Sequence, residues 1–166
     1  MELYLLRHAI AVAREGQSPR RDRTRSLTRE GRRRMHRVAH GMRTLRISPD
    51  LILTSSYLRA QETADIVAAE LGCKAPELTP HLEPGGDPEG LLALLRERTH
   101  AAQCILLVGH EPALSSLASM LLTGDARMQM AMKKGGLCKL RIDQVRYGRC
   151  ATLGWLLTPR QLMSIE

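Results

Sequence analysis

The sequence has no phenylalanine, one tryptophan and three tyrosines, so aromatic residues make up only 2% of its 166 positions. A core built from this chain must rest on Leu, Ile, Val, Ala and Met. The same poverty argues against single-stranded nucleic acid as a partner, because base stacking needs aromatic platforms. No uncharged apolar run approaches the roughly 18 residues of a membrane span, so no membrane partner is expected. The N-terminus lacks the basic region, apolar run and cleavage site of a secretory signal, and the expected compartment is the cytoplasm. Cysteines are few (Cys73, Cys104, Cys138 and Cys150), and none are spaced as metal-binding pairs. Reduced thiols packed as small apolar residues are expected, not a disulfide framework or a zinc site. No metal or other cofactor is expected.

Acidic residues are also in deficit, with 17 Asp and Glu against 25 Lys and Arg, for a net charge of +8. The excess is concentrated in one early stretch: Arg20, Arg21, Arg23, Arg25, Arg29, Arg32, Arg33, Arg34 and Arg37. Such a surface attracts anions, whether nucleic acid, acidic phosphoproteins or small phosphates. It is equally what a solvated helix face looks like. Apolar residues reach 43%, which excludes general disorder. The length suits one domain, 1–166, and no internal repeat is visible. The exposed arginines suggest a monomer.

The apolar pattern alternates between strands and helices. Leu3–Leu6 reads as a short buried strand, followed by Arg7 and His8, and then a polar loop over Ala9–Ser26. Thr28 is placed to cap a helix with Glu30 in its first turn, and Met35, Val38, Met42 and Leu45 recur at helical spacing. Leu51–Leu53 is a second strand. The next helix carries Ala60, Ala64, Val67, Ala68 and Leu71 inward and ends at Gly72. Leu78–Asp87 reads as a loop, and Pro88–Arg98 as a helix with Leu91, Leu94 and Leu95 inward. Cys104–Val108 is the clearest buried strand. Pro112 is placed in the first turn of the following helix, whose apolar side is Leu114, Leu117, Ala118, Leu121 and Leu122. Thr123–Lys134 is expected to be irregular. Leu137–Ile142 and then Ala151, Leu153 and Trp155 alternate as an edge hairpin. Three strand–helix units followed by a hairpin predict an α/β fold. It is a three-layer α/β/α sandwich with a mostly parallel sheet and an antiparallel edge.

In such sheets, sites form at the carboxyl ends of the parallel strands. The predicted strands deliver Arg7 and His8, the Ser55–Arg59 turn, and His110 to one mouth. Arg59 falls near a helix start, where backbone N–H groups favour anions. Two histidines and two arginines without metal-ligand spacing suit a phosphoryl group, with the arginines neutralising its oxygens. A neutral imidazole can attack phosphorus and form a phosphohistidine that water then hydrolyses. Nearby guanidinium charge should favour the neutral ring, which otherwise titrates near pH ~6.5. The second histidine would donate to the transferring oxygens, or stay charged once phosphate is bound.

These segments carry a family resemblance. Leu6-Arg7-His8-Ala9, Ser55-x-x-x-Arg59-Ala60-x-x-Thr63 and Val108-Gly109-His110-Glu111-Pro112 resemble the three motifs of the histidine phosphatase superfamily, the phosphoglycerate-mutase-like fold. The short length, Arg25-x-Leu27-Thr28-x-x-Gly31, Gly86-Asp87 and Trp155-x-x-Thr158-Pro159 are similar to its SixA-type phosphohistidine phosphatases. The resemblance implies metal-independent hydrolysis through a phosphohistidine intermediate. His8 would be the nucleophile, Arg7 and Arg59 would bind the phosphoryl group, and His110 would complete the pocket. Two departures stand out. Ala9 replaces the commoner Gly, and Ser56 stands where many members have Pro, which would loosen the turn before Arg59. Larger members place a Glu in the loop before the third motif. Glu83 is the candidate general acid here and Asp87 the second choice. A phosphohistidine P–N bond is labile and needs no strong acid, whereas an alkyl phosphate does. The chain lacks the insertions that roof the pocket in the mutase branch, so a shallow, open site is expected. That site would admit a phosphorylated protein side chain. A small-molecule phosphomonoesterase of the same superfamily is the alternative, and a working Glu83 would favour it. A non-catalytic basic module that binds phosphoprotein or nucleic acid is the alternative of another class.

Overall fold

Strand β1 (Glu2–Arg7) lies within a six-stranded sheet of order β3-β2-β4-β1-β5-β6. The coordinates are a computed structural model, and they describe residues 1–13 and 18–165. β1 pairs in parallel with β4 (Cys104–Gly109), which pairs in parallel with β2 (Leu51–Thr54). A two-residue strand, β3 (Glu77–Leu78), extends that side. On the other side β1 pairs antiparallel with β5 (Leu137–Ile142), and β5 with β6 (Ala151–Leu157).

Successive strand residues face opposite sides of a sheet, and this alternation sorts the apolar residues into two cores. Leu3, Leu5, Ile105 and Leu107 meet Leu91, Leu92 and Leu95 of α4 (Pro88–Arg98) and Leu114, Leu117 and Leu121 of α5 (Ala113–Thr123). Tyr4, Leu6, Leu106 and Val108 meet Met35, Val38 and Met42 of α2 (Arg29–Thr44). Ala60, Ala64 and Val67 of α3 (Leu58–Leu71) and Leu162 of the short α6 (Pro159–Leu162) complete that second layer. Small alanines on α3 let it lie close to both the sheet and α2. The three-layer expectation therefore holds, built on aliphatic side chains as the composition required.

Two local devices aim the chain toward the site. The Thr28 hydroxyl accepts from the Gly31 N–H at 2.9 Å, and so starts α2. A Cβ on Gly31 would lie 2.0 Å from the Ile10 carbonyl oxygen. Only glycine lets α2 press against the segment that follows His8.

Several sequence expectations need correction. Leu45 is not inward: it follows the last residue of α2 and is 39% exposed. The inward set of α4 includes Leu92, and Leu94 is only half-buried. The Ala9–Ser26 loop contains a one-turn helix, α1 (Pro19–Arg23), while residues 14–17 of that loop lie outside the described residues. The Leu78–Asp87 loop begins within β3 and holds a 3-10 turn over Pro80–Leu82. Pro112 caps α5 instead of entering it, after a cis bond from Glu111. Leu153 and Trp155 do not share a face. Leu140 pairs with Leu153 and Lys139 with Trp155, so Gly154 is an extra residue that flips the phase of β6. All four cysteines are free; Cys138 is buried and the others are half-buried. Among the described residues, no helix is long and apolar enough to cross a membrane.

Candidate active site

The parallel register sets the site. Arg7 pairs with Gly109 and Thr54 with Val108, so the three central strands end level with one another. The ladder runs one residue further on each side. His8 N–H donates to Gly109 O at 3.0 Å, and Ser55 N–H to Val108 O at 3.1 Å. His8, Ser55 and His110 thus leave the sheet side by side, and the two imidazole centroids lie 5.1 Å apart.

The backbone selects the tautomer of His8. Its Nδ1 lies 2.7 Å from the Ala9 carbonyl oxygen. A carbonyl only accepts, so Nδ1 carries the proton and Nε2 is left unprotonated, with its lone pair outward. Arg59 Nε–H donates toward that Nε2 at 3.3 Å. Thr63 holds the same segment: its hydroxyl accepts from Ala9 N–H at 3.0 Å and donates to Arg59 O at 2.6 Å. The second motif's Thr63 therefore ties the helix turn bearing Arg59 to the residue after His8.

His110 is set by Ser55. The Ser55 hydroxyl accepts from Tyr57 N–H at 3.2 Å, so its own proton is available to His110 Nε2, 2.9 Å away. With Ser55 donating to Nε2, Nδ1 of His110 carries the ring proton. Two buried side-chain polar atoms among the described residues have no hydrogen-bond partner: His110 Nδ1 and Arg7 Nε. Both belong to this site, and both are donors that an oxyanion would satisfy. Arg7 is otherwise anchored by Nη1 donating to Met132 O at 2.8 Å.

Burial dominates the electrostatics. It lowers the His8 pKa to about 4, with Arg59, Arg7 and Lys134 adding to the effect. It lowers His110 to about 3, with His8 and Arg59 adding. Both rings are neutral at pH 7. For the nucleophile His8 neutrality is the expectation from neighbouring guanidinium charge, but desolvation is the larger cause. Arg59 is 4% exposed, and burial also lowers its pKa, while Asp22 opposes the shift.

The structure brings together His8, Arg59 and His110, with Arg7 next to His8. Glu83 sits differently. One of its oxygens accepts from Arg23 at 2.6 Å and from the Ser56 hydroxyl at 2.5 Å. Ser56 thus ties its turn down through Glu83, and its carbonyl accepts from Gln61 at 2.5 Å, so the missing proline does not leave the turn loose. Asp87 is occupied as the cap of α4, accepting from Glu89 N–H and Gly90 N–H.

The site is less open than the lack of insertions suggested. His8 and His110 are 7% and 3% exposed. Tyr57 lies edge-on to His110 at 5.3 Å, with the Arg59 and Arg23 guanidinium groups 4.9 and 5.2 Å from its ring centre. α1 covers the same side through Asp22 and Arg23. Sequence reasoning brought the Ser55–Arg59 turn to the site but gave Ser55 and Tyr57 no role of their own, and it missed Asp22. Only Ser55, as the first residue of the second motif, had a signal that could have found it. The arginine-rich stretch is in part internally neutralised, by Arg25–Asp22, Arg32–Glu62 and Arg33–Glu30. Among the described residues, no three His, Cys, Asp or Glu side chains converge to hold a metal ion.

Residues 3–92 match the histidine phosphatase superfamily (branch 1). An uncharacterized protein of Picosynechococcus is 39% identical over 149 residues, covering 88% of each chain. The phosphohistidine phosphatase SixA of Escherichia coli is 25% identical over 164 residues, covering 98% of this chain and 96% of its own. The solved structure of the protein histidine phosphatase SixA complexed with tungstate superposes with a TM-score of 0.83 at 23% identity, covering 98% and 99% of the two chains.

Proposed function

The chain belongs to branch 1 of the histidine phosphatase superfamily, and we propose that it is a phosphohistidine phosphatase using His8 as its nucleophile. The observation that carries this is the unprotonated Nε2 of His8, fixed by the Nδ1 bond to Ala9 O and facing Arg59 Nε. Nε2 attacks phosphorus and the P–N or P–O bond to the substrate breaks, its electron pair leaving on the substrate nitrogen or oxygen, which takes a proton from water. Arg7, Arg59 and the Nδ1–H of His110 bind the transferring oxygens. Water then attacks the phosphohistidine on His8, inorganic phosphate departs, and Nε2 recovers its lone pair.

A phosphorylated histidine on a protein is favoured as substrate because the two candidate acids are both engaged. Glu83 is ion-paired with Arg23 and Asp87 caps a helix. Without a strong proton donor, a labile P–N bond is broken more readily than an alkyl ester. The exposed arginines would attract an acidic phosphoprotein, with on-rates that fall as salt rises. The SixA relative is a phosphohistidine phosphatase by name. In this reading, residues 1–166 act as one domain and as a monomer in the cytoplasm.

The test is to trap the phosphoenzyme with ³²P-labelled substrate. An acid-labile, base-stable label that disappears in His8→Ala is expected. Turnover of a phosphohistidine protein should exceed that of an alkyl phosphate. Equal or faster hydrolysis of the ester would favour the small-molecule phosphomonoesterase. Intact ligand binding with no turnover in either chain would leave only a binding module.

A further inference from the structure

Asp22 belongs to none of the motifs, yet its contacts reach the centre of the site from 37 residues away in sequence. Arg59 Nη1 donates to the Asp22 backbone oxygen at 2.7 Å, and Arg59 Nη2 to Asp22 Oδ2 at 3.3 Å. The remaining nitrogen, Nε, faces His8 Nε2. A guanidinium is planar and rigid. Holding both terminal nitrogens therefore decides where the Nε–H points.

The second Asp22 oxygen is bonded as firmly. Oδ1 accepts from Arg25 Nε at 2.8 Å, while Arg25 Nη1 donates to Val12 O at 2.9 Å. One carboxylate, itself 13% exposed, thus sits between two guanidinium groups. A buried cation without a counter-charge is strongly destabilised, and Arg59 is 4% exposed. α1, which carries Asp22, is also held by Arg23 on Glu83 and Ser56. The helix is therefore braced across the site, and Glu83 serves that brace.

We propose that Asp22 is a positioning residue: it clamps the outer edge of Arg59 so that the Nε edge stays on the reacting nitrogen of His8. As Nε2 bonds to phosphorus its lone pair is used, and Arg59 Nε–H shifts off that direction to the phosphoryl oxygen beside it. This inference rests on the phosphatase reading, since it assigns Asp22 no contact with substrate.

The experiment compares wild type, Asp22→Asn, Arg59→Ala and the double variant, with phosphoramidate as substrate and inorganic phosphate as ground-state ligand. Asparagine keeps the shape and leaves the backbone bond to Arg59 Nη1 intact. Loss of the charged bonds should lower kcat roughly ten- to a hundredfold. KM and phosphate affinity should not weaken, because a negative charge beside the anion site is removed. In the Arg59→Ala background, Asp22→Asn should cost nothing further. An unchanged kcat in Asp22→Asn overturns the inference. So does an equal loss with and without Arg59, or phosphate binding that weakens in step with kcat. Lack of turnover in the wild-type chain overturns the phosphatase reading, and this inference with it.

Discussion

Arginines gather at both ends of the parallel strands, under opposite physical conditions. At the carboxyl ends, Arg59 is almost fully buried, bonded to His8 and balanced by Asp22. At the amino ends, Arg141, Arg146 and Arg149 line a hollow of about 400 Å³ with Asp143, Gln144 and Cys150. All three of those arginines are exposed. Water solvates an exposed guanidinium, so its presence there needs no special explanation. A buried one must be held by partners, and its persistence marks a constraint beyond stability. A hollow lined by exposed arginines is thus not by itself a guide to chemistry. The two buried, unpartnered donors, Arg7 Nε and His110 Nδ1, are the better guide, and both lie at the carboxyl ends.

Substitutions made in pairs, one at each end, sharpen the contrast. His8→Ala should reduce phosphohistidine turnover by roughly three orders of magnitude or more, as loss of a covalent nucleophile does. Arg146→Ala should leave turnover unchanged, and a comparable loss there would erase the distinction between the ends. Arg59→Ala should cost roughly a hundred- to a thousandfold in kcat, the scale of a lost oxyanion donor. Its counterpart Arg141→Ala should be silent in the same assay. Ser55→Ala leaves His110 Nε2 without its partner and frees the ring to turn, and a loss of about tenfold in kcat with little change in KM is expected.

The smallest effect concerns pH. His8 and His110 have native pKa values of about 4 and 3, below the ordinary 6.5. Between those limits the unfolded chain binds more protons than the native one, so stability rises with pH. Stability contributed by the neutral rings is complete above about pH 6.5 and is lost as pH falls toward 4. Thermal melts of His110→Gln should therefore show a shallower acid slope than wild type. Identical slopes in wild type and His110→Gln would mean that His110 is not held neutral by burial.

Much of this site could be read before the fold was known. Arg7 ends a strand, His8 and His110 stand directly after strands, and Arg59 stands at a helix start, and local periodicity finds strands and helix starts. Glu83 could be named as a carboxylate in the right loop, but its partner could not. Arg23 is 60 residues away in sequence, and only the docking of α1 brings it there. The phase of β6 was misread for a related reason. Alternation places Leu153 and Trp155 together unless a bulge intervenes, and Gly154 announces one only once β5 is seen pairing on either side of it.

The sequence by itself determined the layered α/β plan and the set of chemically able residues, because apolar spacing and strand ends are local properties. Tertiary structure alone decided which nitrogen of His8 is unprotonated and which face of Arg59 it meets. It also decided that Asp22 stands behind that arginine. The physical reason is distance along the chain. A tautomer is chosen by one carbonyl within hydrogen-bond reach, and a guanidinium is aimed by partners tens of residues away. Neither leaves a trace in periodicity or composition.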